Sequence, residues 1–201
     1  MANPLSDSAL DQLFRSARTR NAWEAKAVPE TLVRAVYDLA KMGSTSANCS
    51  PARFLFIATP EGKARLQPHL APGNVDKTMA APWTVVIATD MAFYDKMPQL
   101  FPHNPGAREW FAAPEAAAEH GMRNGSLQGA YLMLAARSLG LDCGPMSGFD
   151  KAGVDREFFE SAGGELAKWK SNFLCNLGYG TDQNVFARLP RLAFEEACRI
   201  L

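Results

Sequence analysis

The chain has 201 residues, of which 47% are hydrophobic and 21% are charged, and its 21 lysines and arginines balance its 21 aspartates and glutamates. This length and apolar content predict one folded domain, residues 1–201, and exclude an intrinsically disordered protein. The absence of a basic excess argues against a nucleic-acid-binding protein and gives no charge reason for adhesion to anionic membranes.

The N-terminal residues and the cysteines predict the compartment. Residues 1–14 hold no apolar stretch of signal-peptide length, and the longest apolar run, near 83–88, is far short of the ~20 residues of a membrane-spanning helix. The four cysteines form no CxxC pair, and the three histidines show no zinc-ligand spacing. The sequence therefore predicts a soluble, cytoplasmic protein with reduced cysteines, no metal site and no membrane segment.

The first ninety residues predict helices that alternate with short strands. Apolar residues at helical spacing follow Ser6 and Pro29, which predicts two helices that begin there. Gly43 is expected to end the second helix in the left-handed conformation. The predicted elements of this part are helices over 6–17, 29–40 and 61–66 and strands over 54–58 and 83–88.

Residues 91–114 differ from the rest of the chain, because aromatic residues alternate there with four prolines. Proline in a helix interior removes a hydrogen bond and clashes with the preceding turn, so this segment is not one regular helix. We expect a structured excursion that is either a lid over a site or a hydrophobic dimer contact.

The second half predicts one long helix, a further strand and a C-terminal arm. The helix spans 115–139 and ends at Gly140, the strand spans 173–177, and the arm spans 185–201 with a helical turn near 194–199. Glycines recur along one stripe of the long helix, at positions 121, 125 and 129, which indicates close packing against another helix or chain. Few strands among many helices predict an α+β sandwich.

The common catalytic motifs are missing from the sequence. It contains neither GxGxxG nor a P-loop, and the turn Gly144–Gly148 does not have the spacing of a GxSxG nucleophile elbow. A Ser-His-Asp hydrolase is therefore not favoured.

Four short polar segments are candidates for ligand contacts, although each is also compatible with an ordinary cap or turn. Arg18–Asn21 could hold a phosphate and a polar ring edge, and Gly43–Pro51 could contact a polyol. Gly73–Lys77 could face a heteroaromatic edge, and Gly144–Asp150 could present backbone N–H groups.

The order and spacing of these segments resemble the FMN-dependent nitroreductase family, and within it the malonic semialdehyde reductases of the Rut pyrimidine-degradation pathway. The resemblance runs along nearly the whole chain. Its most specific stretches are residues 43–53, 144–150, 187–192 and 194–198.

The resemblance implies a fold and an assembly. It implies an α/β sandwich whose central, mostly antiparallel sheet is flanked by helices. It also implies an intertwined homodimer that binds FMN at the subunit interface, with the arm 185–201 wrapped around the partner.

The resemblance also implies roles for individual residues. Arg18 and Arg188 match phosphate-binding positions, with Arg191 as an assistant and Thr19 as support for the same region. Asn74 and Lys77 match the pair that faces the pyrimidine edge of the flavin, where a cation stabilises the negative charge of the reduced ring. The backbone of Ser147 and Gly148 matches the turn that reaches flavin N5. The further implied contacts are Asn21, Pro145 and Met146 and, from the other subunit, Thr45, Ser46 and Asn48.

Two departures from the family pattern predict weaker FMN binding. Many relatives carry a basic residue where this chain has Asn21, and many carry another near Phe186. Fewer cations around the flavin would lower its affinity or change its redox potential.

The implied reaction passes a hydride from NADPH or NADH through flavin N5 to a small aldehyde, with ping-pong kinetics and without a side-chain nucleophile. Malonic semialdehyde would give 3-hydroxypropionate. A broad nitro, quinone or enal reductase on the same scaffold is the alternative, and a flavin-binding protein without reductase activity is another. A substrate carboxylate needs a cation, and the candidates are Arg53, Arg108 and Arg123, each of which is otherwise an ordinary surface or structural arginine.

Overall fold

The fold is built on a four-stranded sheet in which every neighbouring pair is antiparallel. The computed structural model describes residues 3–201. The strand order is β1-β2-β4-β3, so β1 and β3 lie at the edges. The strands are β1 Ala52–Ile57, β2 Trp83–Asp90, β3 Asp142–Met146 and β4 Trp169–Gly178.

Helices flank the sheet on both faces, and α1 and α7 each continue into a wider π-helical turn. Ser6 caps α1 as predicted, with its hydroxyl accepting a hydrogen bond from the Ala9 N–H. The helices are α1 Asp7–Leu10, α2 Glu30–Ala40, α3 Pro60–Leu66, α4 Val75–Ala80, α5 Met97–Leu100, α6 Pro114–Ser138, α7 Lys151–Val154 and α8 Phe194–Ala197.

Alternation along β2 separates two hydrophobic cores. Val85 and Ile87 pack on one face with residues of α2 and α6. Val86 and Ala88 face the opposite side, where α3 and the segment around Phe159 cover them. A sheet buried on both faces by helices is the layered α+β arrangement, and the predicted fold class is confirmed.

The excursion 91–114 forms short helical pieces around its own apolar cluster. Phe93, Met97 and Phe111 are buried there against Cys49. The prolines begin these pieces instead of interrupting a long helix: Pro98 lies in the first turn of α5, and Pro105 begins a 3₁₀ helix that ends at Trp110.

Two expectations about turns and glycines are wrong in detail. Gly144 and Pro145 belong to strand β3, and the turn begins only at Ser147. Gly43 does not adopt a positive φ. It is required because a Cβ atom there would lie 2.1 Å from the Tyr131 ring. Gly140, by contrast, ends α6 with φ of 80° as predicted.

The glycine stripe of α6 packs on the chain's own sheet and not on another helix. A Cβ atom on Gly121 would lie 2.8 Å from the Thr89 side chain, and one on Gly129 would lie 2.5 Å from Phe173. The stripe therefore lets the long helix approach β2 and β4 closely, which offsets the unfavourable helix propensity of glycine.

None of the helices among residues 3–201 is both long enough and apolar enough to cross a membrane. Within the same residues, histidine, cysteine, aspartate and glutamate form no group of three or more that could hold a metal ion.

Candidate functional site

A cavity of about 660 Å³ lies between the residues that follow α1 and the base of the C-terminal arm. Arg18, Thr19 and Asn21 line it from the N-terminal side, and Arg188 and Arg191 line it from the arm. These five residues were predicted to bind one ligand, and the structure brings them together. Five arginines line the cavity in all: Arg15, Arg18, Arg137, Arg188 and Arg191.

The positive charge of this cavity is largely uncompensated. The Arg18 guanidinium donates to the carbonyl of Phe186, and Arg188 donates in return to the carbonyl of Ala17 at 3.0 Å. These bonds tie the arm to the N-terminal segment, but a neutral carbonyl does not cancel a charge. Of the five arginines, only Arg15 makes a salt bridge within residues 3–201. The donor set therefore fits a phosphate dianion.

Asn21 connects the arginine cavity to helix α4. Residues 19 and 20 run beside the edge strand β3, where the Arg20 N–H donates to the carbonyl of Cys143 at 3.0 Å. This pairing turns the Asn21 side chain toward α4, and its Oδ1 accepts a hydrogen bond from Lys77 Nζ at 3.3 Å. The cavity and Lys77 thus belong to one continuous polar surface.

The turn after β3 is fixed against the residue that precedes α4. Asn74 Nδ2 donates to the carbonyl of Gly148 at 2.7 Å, and a Cβ atom on Gly148 would lie at the same distance from that nitrogen. Glycine is therefore required for this close approach. Ser147 and Gly148 are exposed, and within residues 3–201 the Gly148 N–H donates no hydrogen bond. A free N–H at this edge can donate to a ligand.

Lys77 is half-buried, and burial lowers its pKa because the charged form is less well solvated. Lys77 makes no salt bridge within residues 3–201, and its ammonium is held only by the neutral Asn21 amide. Such a cation attracts negative charge on a neighbouring ligand more strongly than a lysine that is already paired.

Pro145 and Met146, two further predicted cofactor contacts, precede the turn at Ser147. Both lie in β3, and the Met146 side chain is buried in the core, where its sulfur accepts from the Thr78 hydroxyl at 3.4 Å. The Met146 side chain therefore packs in the core next to the turn, and it does not line the arginine cavity.

The loop of residues 44–50 adopts a strained backbone. Three residues other than glycine have positive φ: Ala47 at 48°, Asn48 at 55° and Ser50 at 39°. Each such residue costs on the order of 1–3 kcal/mol and persists only where its surroundings enforce it. The surrounding structure must therefore hold this loop in its conformation.

Helix α6 holds the loop with three polar side chains, Asn124, Gln128 and Tyr131. Their spacing of four and three residues puts them on one face of the helix. Asn124 Oδ1 accepts from the Ser46 N–H at 2.9 Å, and Gln128 Oε1 accepts from the Ala52 N–H at 2.8 Å. The Tyr131 hydroxyl donates to the carbonyl of Ser44 at 2.9 Å. Asn124 and Gln128 are buried, so these bonds are shielded from water.

The loop lies apart from the arginine cavity in this chain. No hydrogen bond within residues 3–201 joins Thr45, Ser46 or Asn48 to the other predicted ligand residues, and Asn48 Nδ2 instead donates to the carbonyl of Leu100 in the excursion at 2.9 Å. The predicted contacts therefore form two separate groups on one chain.

Replacing Asn124 tests the support of this loop. Asn124→Leu leaves the Ser46 N–H without its acceptor, so we expect the free energy of unfolding to fall by about 1–3 kcal/mol. FMN binding should weaken as well, because the strained loop relaxes. Denaturant unfolding and a flavin titration measure the two effects. Ser126→Ala, at an exposed position of the same helix, serves as the control, and equal behaviour of the two variants would show that Asn124 does not hold the loop.

The three candidate substrate cations all have carboxylate partners. Arg53 binds Asp90 at 2.7 Å, Arg108 binds Asp95 at 2.9 Å, and Arg123 binds a glutamate one turn away on α6. A substrate carboxylate would have to compete with these partners.

Cys49 lies beneath the loop and is fully buried. Burial raises the pKa of its thiol to about 11, because the thiolate would be poorly solvated there. The thiol therefore stays protonated near neutral pH and is no candidate nucleophile.

Sequence reasoning missed several residues of this region. Arg15 and Arg137 line the cavity, but neither belongs to the polar segment Arg18–Asn21. Lys63 is buried against the carbonyl of Thr78, the residue after Lys77. Its sequence signal was a charged residue three positions before Leu66, on the inward face of α3.

Comparisons with known proteins show the family of this chain. Residues 4–179 match the family model described as the nitroreductase family. The chain is 57% identical to a protein of Stenotrophomonas maltophilia (strain K279a) over 201 residues, which is 100% of both chains. It is 58% identical to a protein of Burkholderia lata over 197 residues, which is 98% of both. Both relatives bear the provisional name NADH dehydrogenase/NAD(P)H nitroreductase.

The fold resembles a solved structure. A protein from Exiguobacterium sibiricum 255-15, provisionally identified as a nitroreductase and solved in complex with FMN, aligns with a TM-score of 0.84 over 100% of both chains. The sequence identity is 18%, so this likeness concerns the fold alone.

Proposed function

The chain belongs to the nitroreductase family, and we propose that within it the protein reduces malonic semialdehyde to 3-hydroxypropionate in the cytoplasm, as a step of pyrimidine degradation. The broader activity follows from the family: the protein is an NAD(P)H-dependent oxidoreductase with FMN as its cofactor. When bound, FMN would supply the redox chemistry, which is the exchange of a hydride at N5.

The observation that carries the proposed placement of FMN is the continuous polar surface from the arginine cavity to Gly148. If the FMN phosphate lies in the cavity beside Arg18 and Arg188, the flavin ring would lie next to Lys77 and Asn74. The turn at Gly148 then presents its free N–H to the same ring. One elongated, phosphorylated heteroaromatic ligand accounts for all of these groups together.

The proposed roles of the residues follow from their chemistry. Arg18, Arg188 and Arg191 would bind the phosphate with charge-assisted hydrogen bonds. Lys77 would stabilise negative charge at the pyrimidine edge of the ring, and the Gly148 N–H would orient N5. None of these residues would form a covalent bond with the substrate. We therefore expect the nicotinamide donor and the aldehyde acceptor to use the same face of the flavin one after the other, which gives ping-pong kinetics.

We propose that two chains complete the site. The loop of residues 44–50 has a backbone held in place by α6 and does not line the arginine cavity of its own chain, so we assign it to the flavin of a partner subunit. The arm also favours a dimer, because it exposes large apolar side chains that a partner could cover. These are Phe186, Leu189, Leu192, Phe194, Ile200 and Leu201.

A broader reductase of nitro, quinone or enal compounds is the second candidate. The observation in its favour is that Arg53, Arg108 and Arg123 are each neutralised by a carboxylate. A site that does not select a carboxylate would accept many oxidants.

Matched substrates separate the two candidates. Propanal carries a methyl group where malonic semialdehyde carries its carboxylate, so the ratio of their kcat/KM values reports carboxylate recognition. We expect a ratio above roughly ten, the factor that one charge-assisted contact gives. Equal values for the two aldehydes, together with faster turnover of a quinone or nitroaromatic compound, would contradict the semialdehyde proposal and favour the broad reductase.

A further inference from the structure

Lys63 on α3 is a buried lysine, with a relative exposure of 4%. Its ammonium donates to the carbonyl of Thr78 at 2.8 Å and to the hydroxyl of Thr84 at 2.5 Å. Thr78 directly follows Lys77 in α4, so the buried ammonium holds the backbone next to the residue that we place at the flavin ring.

A polar network extends from Lys63 to both segments of the proposed ring site. The Thr84 hydroxyl donates to Asn176 Oδ1 at 2.7 Å, and Asn176 Nδ2 donates to the carbonyl of Lys77 at 3.2 Å. The Thr78 hydroxyl donates to the sulfur of Met146, the residue before the Ser147 turn. One buried network therefore anchors both α4 and the turn that follows β3.

The charge of Lys63 has no negative partner in this network. Its partners are neutral oxygens, and Lys63 makes no salt bridge within residues 3–201. On its own helix, Arg65 points outward to Glu157. Isolated buried charge is unfavourable, and burial lowers the pKa of Lys63 to about 8.

We infer that Lys63 is a positioning residue of the flavin site, which fixes the Lys77 segment and favours the reduced cofactor through its buried positive charge. This inference rests on the proposed placement of FMN. The reduced ring carries the negative charge that the network lacks, so reduction should be more favourable while Lys63 is charged. A purely structural lysine would stabilise the bound oxidised and reduced cofactor equally.

The test compares Lys63→Met with Lys170→Met. Both substitutions remove one ammonium, but Lys170 is half-exposed and pairs with Glu160. For each purified protein, the dissociation constants of oxidised and of anaerobically reduced FMN are measured. In Lys63→Met the ratio of the reduced to the oxidised constant should rise at least tenfold, which corresponds to a midpoint potential about 30 mV lower for a two-electron couple. Lys170→Met should keep the wild-type ratio.

The outcomes separate this inference from the proposed function. An unchanged ratio in Lys63→Met, with wild-type protein that binds and reduces FMN normally, overturns only the role of Lys63. Wild-type protein that binds no FMN overturns the proposed placement and this inference together.

A second measurement does not depend on the folding of the variant. The pKa of Lys63 is followed by NMR of ¹³C-labelled lysine in the wild-type holoenzyme, oxidised and then reduced. The elements packed against Lys63 present Thr78, Thr84 and Asn176, none of which titrates, and the neighbouring Lys77 signal is identified from Lys77→Met. Reduction should raise the pKa of Lys63, since binding and protonation are reciprocally linked. The same pKa in both states would overturn the inference.

Discussion

Arg188→Ala is expected to weaken FMN binding by about 1.5–3 kcal/mol, which is roughly a ten- to hundredfold rise in the dissociation constant. Arg188 lines the arginine cavity, and its only described partner is the neutral carbonyl of Ala17. The variant therefore loses a charge-assisted contact with the phosphate, and no carboxylate elsewhere is left unpaired. Equilibrium titration with FMN measures the change.

Riboflavin supplies the matched ligand for this prediction, because it lacks the phosphate. Its affinity should be nearly the same in wild-type protein and in Arg188→Ala. Arg199→Ala, farther along the same exposed arm and outside the cavity, is the matched protein control. If FMN and riboflavin lose equal affinity, the arginine acts on the arm as a whole and does not bind the phosphate.

Lys77→Met is expected to lower the flavin midpoint potential by about 30–60 mV, the equivalent of one charge-assisted hydrogen bond in a two-electron couple. Lys77 makes no salt bridge within residues 3–201, so its full charge is available to the reduced ring. Reduction by NADPH should also slow. Spectroelectrochemistry and anaerobic stopped-flow absorbance measure the two quantities.

Lys26→Met is the control for Lys77, because Lys26 lies over the Tyr179 ring and outside the proposed site. Its potential should match that of the wild-type enzyme. A potential that Lys77→Met leaves unchanged would place this lysine away from the flavin.

The elements with strong local signals were predictable from the sequence. The helices α2 and α6 and the strands β1, β2 and β4 occur where apolar spacing placed them, with ends that differ by a few residues. Ser6 and Gly140 act as the caps that their side chains favour. Local chemistry decides these positions, so no knowledge of the tertiary structure was needed.

Strand β3 was missed because its sequence contains glycine and proline. Pro145 is compatible with β3 because this strand lies at an edge of the sheet, where a missing N–H is tolerated. Gly144 is needed because a Cβ atom would lie 2.7 Å from the carbonyl of Arg20. Both reasons come from neighbours far away in the sequence, which local patterns do not reveal.

The sequence allowed the candidate ligand-binding residues to be named, but not the residues that hold them in place. Arg18 lies in one of the four polar segments, and the family resemblance implied Arg188. The fold brings the two to one cavity across 170 positions. The positive φ of Ala47 and the buried Lys63 depend on contacts with α6 and the sheet, so they had to be seen in the structure.

The most direct test of the proposed function is an absorbance spectrum of the purified protein with FMN, recorded anaerobically before and after NADPH and again after malonic semialdehyde. The flavin band should bleach with NADPH and return rapidly with the semialdehyde. A band that returns only with nitroaromatic compounds or quinones would contradict the proposed substrate, and a protein that binds no flavin would contradict the proposed function as a whole.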